Sequence, residues 1–356
     1  MEVRNNWLIT GGCGFLGTSL IANLLKNKMV AGVRVLDNVS VGTREDLAEV
    51  CDFTELNASS HAAHISCVIP DATCLTSLVS RGVELFVGDI RDYETCMKAC
   101  EGIDVVVHLA ANTGVGPSVE NPRADMEANV IGIFNILEAS RLNKVDKFVF
   151  ASSGAPIGEV EPPIHEEKAP RPVSPYGASK LAGEGYCSAY YRTFGLKTVS
   201  LRFGNVYGPR SKHKNSVVAK FIRQALTGET LEIYGDGNQT RDFIYIDDLI
   251  NAIRLAVDPI PSDLNSPGSL PYGEVFQIAT QRETTVNDVG ALIKEIVERE
   301  KNMHVAIKYC NARLGDVKRN YSDISKARRM LGFQPETNLI EGLMETLRYF
   351  TASTQA

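Results

Sequence analysis

The 356-residue sequence predicts an α/β protein, a doubly wound parallel sheet followed by a smaller C-terminal α/β lobe. Three observations predict it. Short, nearly continuous apolar strands alternate with amphipathic stretches, the pattern of a parallel sheet covered on both faces. A glycine-rich turn, "TGGCGFLG" at 10–17, stands between the first such strand and the first such helix. An aspartate, Asp37, closes the second strand twenty residues past Gly17.

Taken in order, "WLITG" reads as strand and "TSLIANLLKNK" as the first helix. Strands follow in "GVRVLDN", "VELFVGD" and "DVVVHLAA". A helical stretch, "ADMEANVIGIFNILEASRLN", leads to a fifth strand in "KFVFASS". Another helix opens near Tyr176 and runs through "SKLAGEGYCSAYYRTF", and "KTVSLRF" is the sixth strand. Much of 50–80 has no clear period, which predicts an inserted loop or helical excursion. From 204 onward, turns such as "YGPR" and "DPIPSDLNSPGSLPYG" break up shorter elements. The expected division is therefore 1–203 and 204–356, with segments near 242–260 returning to the first domain.

Composition narrows the function. A formal charge of −6 and a pI of about 5.6 disfavour a nucleic-acid partner, whose phosphates select a basic face. No apolar run reaches the ~18 residues that span a bilayer, and "MEVRNNWLITGG" lacks a signal core. A cytoplasmic protein without membrane partners is expected. The eight cysteines form no CxxC pair and read as reduced thiols. Cys51, His61, His64, Cys67 and Cys74 are zinc-type ligands, but their spacing matches no usual zinc module, so no metal is expected.

Gly11, Gly14 and Gly17 form G-x-x-G-x-x-G, a variant of the dinucleotide turn of a Rossmann-type sheet. Such glycines let backbone approach a pyrophosphate at a helix N-terminus. Alone, the triplet is weak evidence; its place between strand and helix strengthens it. Asp37 can accept from ribose hydroxyls and repels a 2′-phosphate, which favours NAD over NADP. The plain alternative for Asp37 is a turn or cap residue, and Arg44 downstream leaves an opening for NADP.

"SPYGASK" at 174–180 sets Tyr176 and Lys180 four apart, on one face of a helix. A nearby cation favours phenolate, which would make the tyrosine a general base. The spacing also occurs by chance, so the pair is read together with the turn.

These motifs, with "VGDIRD", "HLAA" at 108–111, "SS" at 152–153, "LRFGNVYGPR", "YGDGNQTRDFIYIDD" and "RLGD" at 313–316, make the chain similar over nearly its whole length to the extended short-chain dehydrogenase/reductase family. Within it the sequence resembles the NAD-dependent epimerase/dehydratase branch, closest to UDP-glucose and UDP-N-acetylglucosamine 4-epimerases. The resemblance implies that residues 1–203 bind NAD and 204–356 mainly bind a nucleotide sugar. It places Gly11, Gly14, Phe15, Leu16, Gly17, Asp37 and Asn38 on the cofactor. Asp89 and Ile90 fall at the adenine, Leu109, Ala110, Ala111 and Ser152 in the cleft, and Phe203 beside the nicotinamide. Asn129 would orient the cofactor, and Lys180 would hold its ribose.

The resemblance also implies that Tyr176 takes the proton of a sugar hydroxyl, with Ser153 hydrogen-bonded beside it, while hydride passes to NAD and back. Asn205, Arg241 and Arg313 would bind the nucleotide-sugar diphosphate, Asp316 would lie near the nucleoside ribose, Tyr234 would also bind the substrate, and Asn320 would line the sugar pocket. Family members commonly form homodimers through the helices containing Asn129 and Tyr176. Here Ile131, Ile133, Phe134 and Leu137 could serve that contact or face the sheet. One departure stands out: "SSGAPIG" replaces the usual segment ending "VYG", with Ala155 where a hydroxyl residue is common. Residues 153–156 carry no acid, which disfavours dehydratases and decarboxylases. The alternatives are an epimerase at another carbon, those enzymes, or a non-catalytic NAD sensor. His108 reads as a buried, satisfied histidine.

Overall fold

The computed structural model describes residues 5–57, 82–260, 270–312 and 318–355. Its first part runs β1 (Asn5–Thr10), α1 (Phe15–Lys26), β2 (Val30–Asp37), α2 (Arg44–Ala48), β3 (Phe53–Asn57), β4 (Val83–Val87), α3 (Tyr93–Ala99) and β5 (Val105–His108). Next come α4 (Val115–Glu120), α5 (Pro122–Met126), a π-helical turn at Glu127–Ile131, α6 (Gly132–Leu142), β6 (Lys147–Ser153), α7 (Pro175–Phe194) and β7 (Lys197–Phe203). The remainder is β8 (Asn205–Tyr207), α8 (Val217–Leu226), β9 (Leu231–Tyr234), β10 (Thr240–Arg241), β11 (Phe243–Tyr245), α9 (Ile246–Val257), β12 (Glu274–Ile278), β13 (Thr284–Thr285), α10 (Val286–Lys301), β14 (Ile307–Cys310), α11 (Ser325–Leu331) and α12 (Leu339–Gln355).

Eight strands form one sheet in the order β12-β7-β6-β5-β1-β2-β4-β3, every neighbouring pair parallel. The apolar runs explain it: Val105, Val106 and Val107 are all buried, so β5 is covered on both faces. Along β1, Ile9 joins one face's core with Val35, Val107 and Val149. Leu8 joins the other with Leu36, Val106 and Phe148. Period-two alternation thus builds two cores from one strand. The chain passes from β1 outward through β2, β3 and β4, then crosses back to β5 on the other side. The strand order reverses between β1 and β5, so a crevice opens at their C-terminal ends.

Two strands escaped the sequence pattern. The stretch expected to be a loop or helical excursion contains β3, which pairs with β4 at the sheet edge; residues 58–81 lie outside the described part. Strand β12, just after a proline-rich turn, adds to β7 on the opposite edge. In the second half, β8 pairs with β11 and β9 with β14, both parallel, and β10 pairs antiparallel with β13. Helix α9 packs against α1 and β6, while α8, α10 and α12 pack on one another. No helix among the described residues is long and apolar enough to cross a membrane.

The helix carrying Tyr176 starts for local reasons. The Ser174 hydroxyl accepts from Gly177 N–H at 3.1 Å and Pro175 occupies the first turn, an N-cap with proline where its missing N–H is harmless. Gly195, left-handed at φ 77°, ends it. The single long helix expected over "ADMEANVIGIFNILEASRLN" is instead α5, the π turn and α6 in succession.

Candidate active site

The crevice at the ends of β1 and β5 is lined first by backbone. Gly11 has φ +69°, and a Cβ there would stand 2.8 Å from the Ala110 nitrogen. A Cβ on Gly17 would lie 2.4 Å from Gly12 Cα, so only glycine lets α1 seat against the turn. Gly14 caps α1 without a side-chain acceptor, which leaves first-turn N–H groups of Phe15 and Leu16 for an anion. The Asp37 carboxylate accepts from Cys13 N–H at 3.0 Å and Val39 N–H at 2.8 Å. Burial pushes its pKa up, and those two N–H bonds pull it back. A carboxylate has about four acceptor positions, so capacity remains for ribose hydroxyls. Arg44, the residue that kept NADP open, is bound in two-pronged fashion to Glu55 at 2.7 and 2.9 Å. This cradle fits NAD.

At the next strand end, Asp89 accepts two bonds from the Arg91 guanidinium, at 2.9 and 2.8 Å, one from the Arg91 backbone N–H at 2.9 Å, and one from Asn38 Nδ2 at 3.0 Å. The Arg91 bonds, against burial, hold the Asp89 carboxyl down at about 2. Ile90 is buried, and its carbonyl accepts from Asn135 at 3.0 Å. Across the crevice, Leu109 and Ala110 N–H groups bond Thr10 O and Oγ1 at 3.2 and 3.1 Å. Asn129, in the π turn, bonds both backbone groups of Asn112 at 2.8 Å and so pins the segment after Ala111. His108 lies between Phe148 and Phe150 and shares a 2.8 Å bond with Thr10. Burial, with Lys180 nearby, pulls its pKa down to about 3, so it is a neutral core histidine.

Tyr176, Lys180 and Ser153 converge. Ser153 ends β6 directly opposite Phe203 of β7. Its hydroxyl bonds the Tyr176 phenol and pulls the phenol's pKa down, against the larger effect of burial, which raises it. Lys180 is buried, donates to Ala151 O at 2.8 Å, and stands 4.9 Å over the Phe150 ring and 5.8 Å over the Tyr176 ring. Burial pulls its own pKa down to about 8. The helical spacing does deliver one shared face. It does not by itself deliver a low phenol pKa, because desolvation, with the Asp125 charge, outweighs the Ser153 hydrogen bond.

Other expected residues are distributed as follows. Ser152 points to the opposite side of β6 from Ser153 and donates to Glu184 at 2.5 Å. Asn205 N–H bonds Asp242 O at 2.7 Å and lies opposite Phe243. Arg241 donates to Thr240 O at 2.7 Å. The Tyr234 ring carries Lys220 Nζ at 4.8 Å. Asn320 is half-buried, with its N–H 3.4 Å from Thr240 Oγ1. Arg313 and Asp316 lie outside the described residues, as do His61, His64, Cys67 and Cys74. No group of three or more metal-type side chains occurs among the described residues.

Comparison with known proteins follows the same pattern. Residues 7–266 match the NAD dependent epimerase/dehydratase family. The chain belongs to that family. It is 34% identical to a putative UDP-glucose 4-epimerase of Methanocaldococcus jannaschii, over 96% of this chain and 97% of that one. A crystal structure of the Thermotoga maritima UDP-glucose 4-epimerase with UDP-glucose superposes with a TM-score of 0.78 at 34% identity, covering 98% and 99% of the two chains. A UDP-N-acetylglucosamine 4-epimerase of Methanobrevibacter ruminantium, in complex with UDP-N-acetylmuramic acid, gives 0.80 at 28%, covering 99% and 100%. NAD is thus the cofactor of this epimerase/dehydratase family member, and its large parallel sheet is the family's fold.

Three buried charged residues at the site escaped the sequence reading. Glu184 and Arg202 form a two-pronged pair at 2.8 and 2.7 Å, each about 4% exposed. Asp125 is fully buried and accepts from Ser179 Oγ at 2.6 Å and Asn129 Nδ2 at 2.9 Å. A usable signal existed for Glu184, which stands four residues beyond Lys180 and so shares its face. Arg202→Met would strand the Glu184 carboxylate, and loss of one partner of a buried pair costs about 3–5 kcal/mol. Urea unfolding of the variant should show a loss of that size; an unchanged midpoint would mean that the unpaired Glu184 carboxylate carries no burial penalty.

Proposed function

We propose that the protein is a nucleotide-sugar 4-epimerase acting on UDP-hexoses or UDP-N-acetylhexosamines. The observation that carries this reading is the end of β6: Ser153, Tyr176 and Lys180 gather there, and the following Gly154–Pro156 offers no carboxylate to remove water or lose CO2. NAD, when bound, supplies a hydride acceptor that returns the hydride in the same cycle. Tyr176 takes the proton of the sugar 4-hydroxyl and later gives it back, and Ser153 holds that hydroxyl in line. Lys180 holds the cofactor's ribose and adds positive charge behind the phenol. Arg241 and Arg313 grip the diphosphate through two-pronged bonds, Tyr234 and Asp316 hold the nucleoside, and Asn205 supports the phosphates. Binding energy taken remotely leaves the sugar free to turn over.

The sugar is selected at residue 320. Asparagine leaves room for a C2 acetamido group and can donate to or accept from it. Its side-chain amide makes no hydrogen bond to another described residue, which supports a role toward substrate. The chain also works as a homodimer through α6 and α7. Ile131 and Phe134 are 42% and 38% exposed, Tyr186 and Phe194 38% and 53%, whereas Ile133 and Leu137 face the sheet. Phe134 and Tyr186 already meet edge-on at 5.7 Å, so one apolar strip spans both helices.

Three measurements test these statements. Tyr176→Phe should keep its bound NAD while epimerisation falls by about 10² or more; wild-type protein should accumulate no NADH with substrate. Near-normal turnover by the variant would remove Tyr176 as the base. On a panel of nucleotide sugars with separation of C4 epimers, UDP-N-acetylhexosamines should react, and Asn320→Tyr should abolish that activity selectively. Equal loss on all sugars would exclude residue 320 as the selector. Light scattering should give a dimer mass for wild type and a monomer mass for Phe134→Glu; a monomeric wild type would end the dimer reading.

A further inference from the structure

Asp125 has no part in the reaction as described, yet it is a fully buried carboxylate beside the reacting residues. A buried carboxylate is costly unless a positive charge faces it. Its two bonds, from Ser179 and Asn129, come from neutral groups, and among the described residues no cation pairs with it directly. Lys180 presents the mirror problem. It is a buried ammonium whose hydrogen-bond acceptor is the neutral Ala151 carbonyl. Ser179, which touches Asp125, is the neighbour of Lys180 on α7.

The surroundings leave these two as each other's counter-charge. On α7, Glu184 also faces Lys180, but it is already matched by Arg202 from β7 and by the Ser152 hydroxyl. Cys187 on α7 and the Tyr176 phenol are uncharged neighbours, Phe150 on β6 offers its ring, and His108 on β5 is neutral. We propose that Asp125 is a positioning residue, the buried counter-charge that keeps Lys180 an ammonium and, through Ser179, fixes the helical turn bearing Tyr176 and Lys180. Asp125 also faces Tyr176 and opposes its ionisation. The electrostatics agree: Asp125 and Glu184 raise the Lys180 pKa against burial, and the balance falls at about 8.

The inference rests on the proposed reaction only in giving Lys180 the cofactor ribose, so its test reads NAD affinity rather than turnover. The dissociation constant of NAD is measured by calorimetry from pH 6 to 10. Wild-type binding should weaken as Lys180 loses its proton. Asp125→Asn keeps the shape and can still accept from Asn129 while donating to Ser179. It should move the weakening to lower pH by about one unit, which is about fivefold weaker binding at pH 8 and approaches tenfold toward pH 10, and Asp125→Glu should restore much of it. Ser179→Ala, which keeps the charge, should leave the pH midpoint in place. Lys180→Arg cannot lose its proton in this range, so its binding should lose the pH step, with or without Asp125→Asn. An unmoved midpoint in Asp125→Asn, an equal shift in Ser179→Ala, or a step persisting in Lys180→Arg would overturn the proposal. NAD binding that follows this pattern in a protein inert toward every nucleotide sugar would instead sink the epimerase reading and leave Asp125's role standing.

Discussion

At residue 11 the chain runs so close to the backbone of residue 110 that no side chain fits between them. That approach draws together the ends of β1 and β5, where strand order reverses, and the rest of the site is arranged around it. Thr10, one residue earlier, bonds the backbone after β5 and His108 within it. Asn129 then pins the next residues along. A bulkier residue at 11 would have to part the two central strands of the sheet, so the constraint reaches well beyond the turn.

Charge at the site is paired by depth. The outer cofactor edge carries exposed or half-exposed pairs, Asp89 with Arg91 and Arg44 with Glu55, which water and salt screen. Behind the reacting end, Glu184 and Arg202 meet almost without solvent, and Ser152 completes the carboxylate's bonds. Such a pair contributes little net stability but tolerates no loss of a partner. Rigidity at the base of α7 and β7 follows, and Tyr176 and Lys180 depend on it for their placement.

The central strands and the cofactor turn were legible because their signals are local: a run of apolar residues, three glycines, an acid at a strand end. Strand β3, "FTELN", was not, since an edge strand needs no continuous apolar run and its partner β4 lies far along the chain. Strand β12, "EVFQI", is buried by a neighbour, β7, more than seventy residues earlier. The same limit hid the charged residues. Glu184, Arg202 and Asp125 sit in helices and strands where sequence places ordinary surface charge, and only tertiary packing buries them. The i, i+4 spacing of Tyr176 and Lys180 located the pair correctly. Their electrostatics depend on burial, which spacing does not encode.

The π turn at Glu127–Ile131 holds one more residue per turn than the helices on either side. Each residue turns an α-helix by about 100°, so the insertion rephases everything after it. Asp125 and Asn129 look inward, toward α7 and the segment after β5, while Ile131 and Phe134, a few residues on, look away from the molecule. A regular helix would carry inward- and outward-facing residues on one fixed repeat. By slipping that repeat once, a single continuous rod presents one face to the chemistry and a differently angled face to the exterior. The two surfaces can therefore change in sequence independently, although they share one backbone.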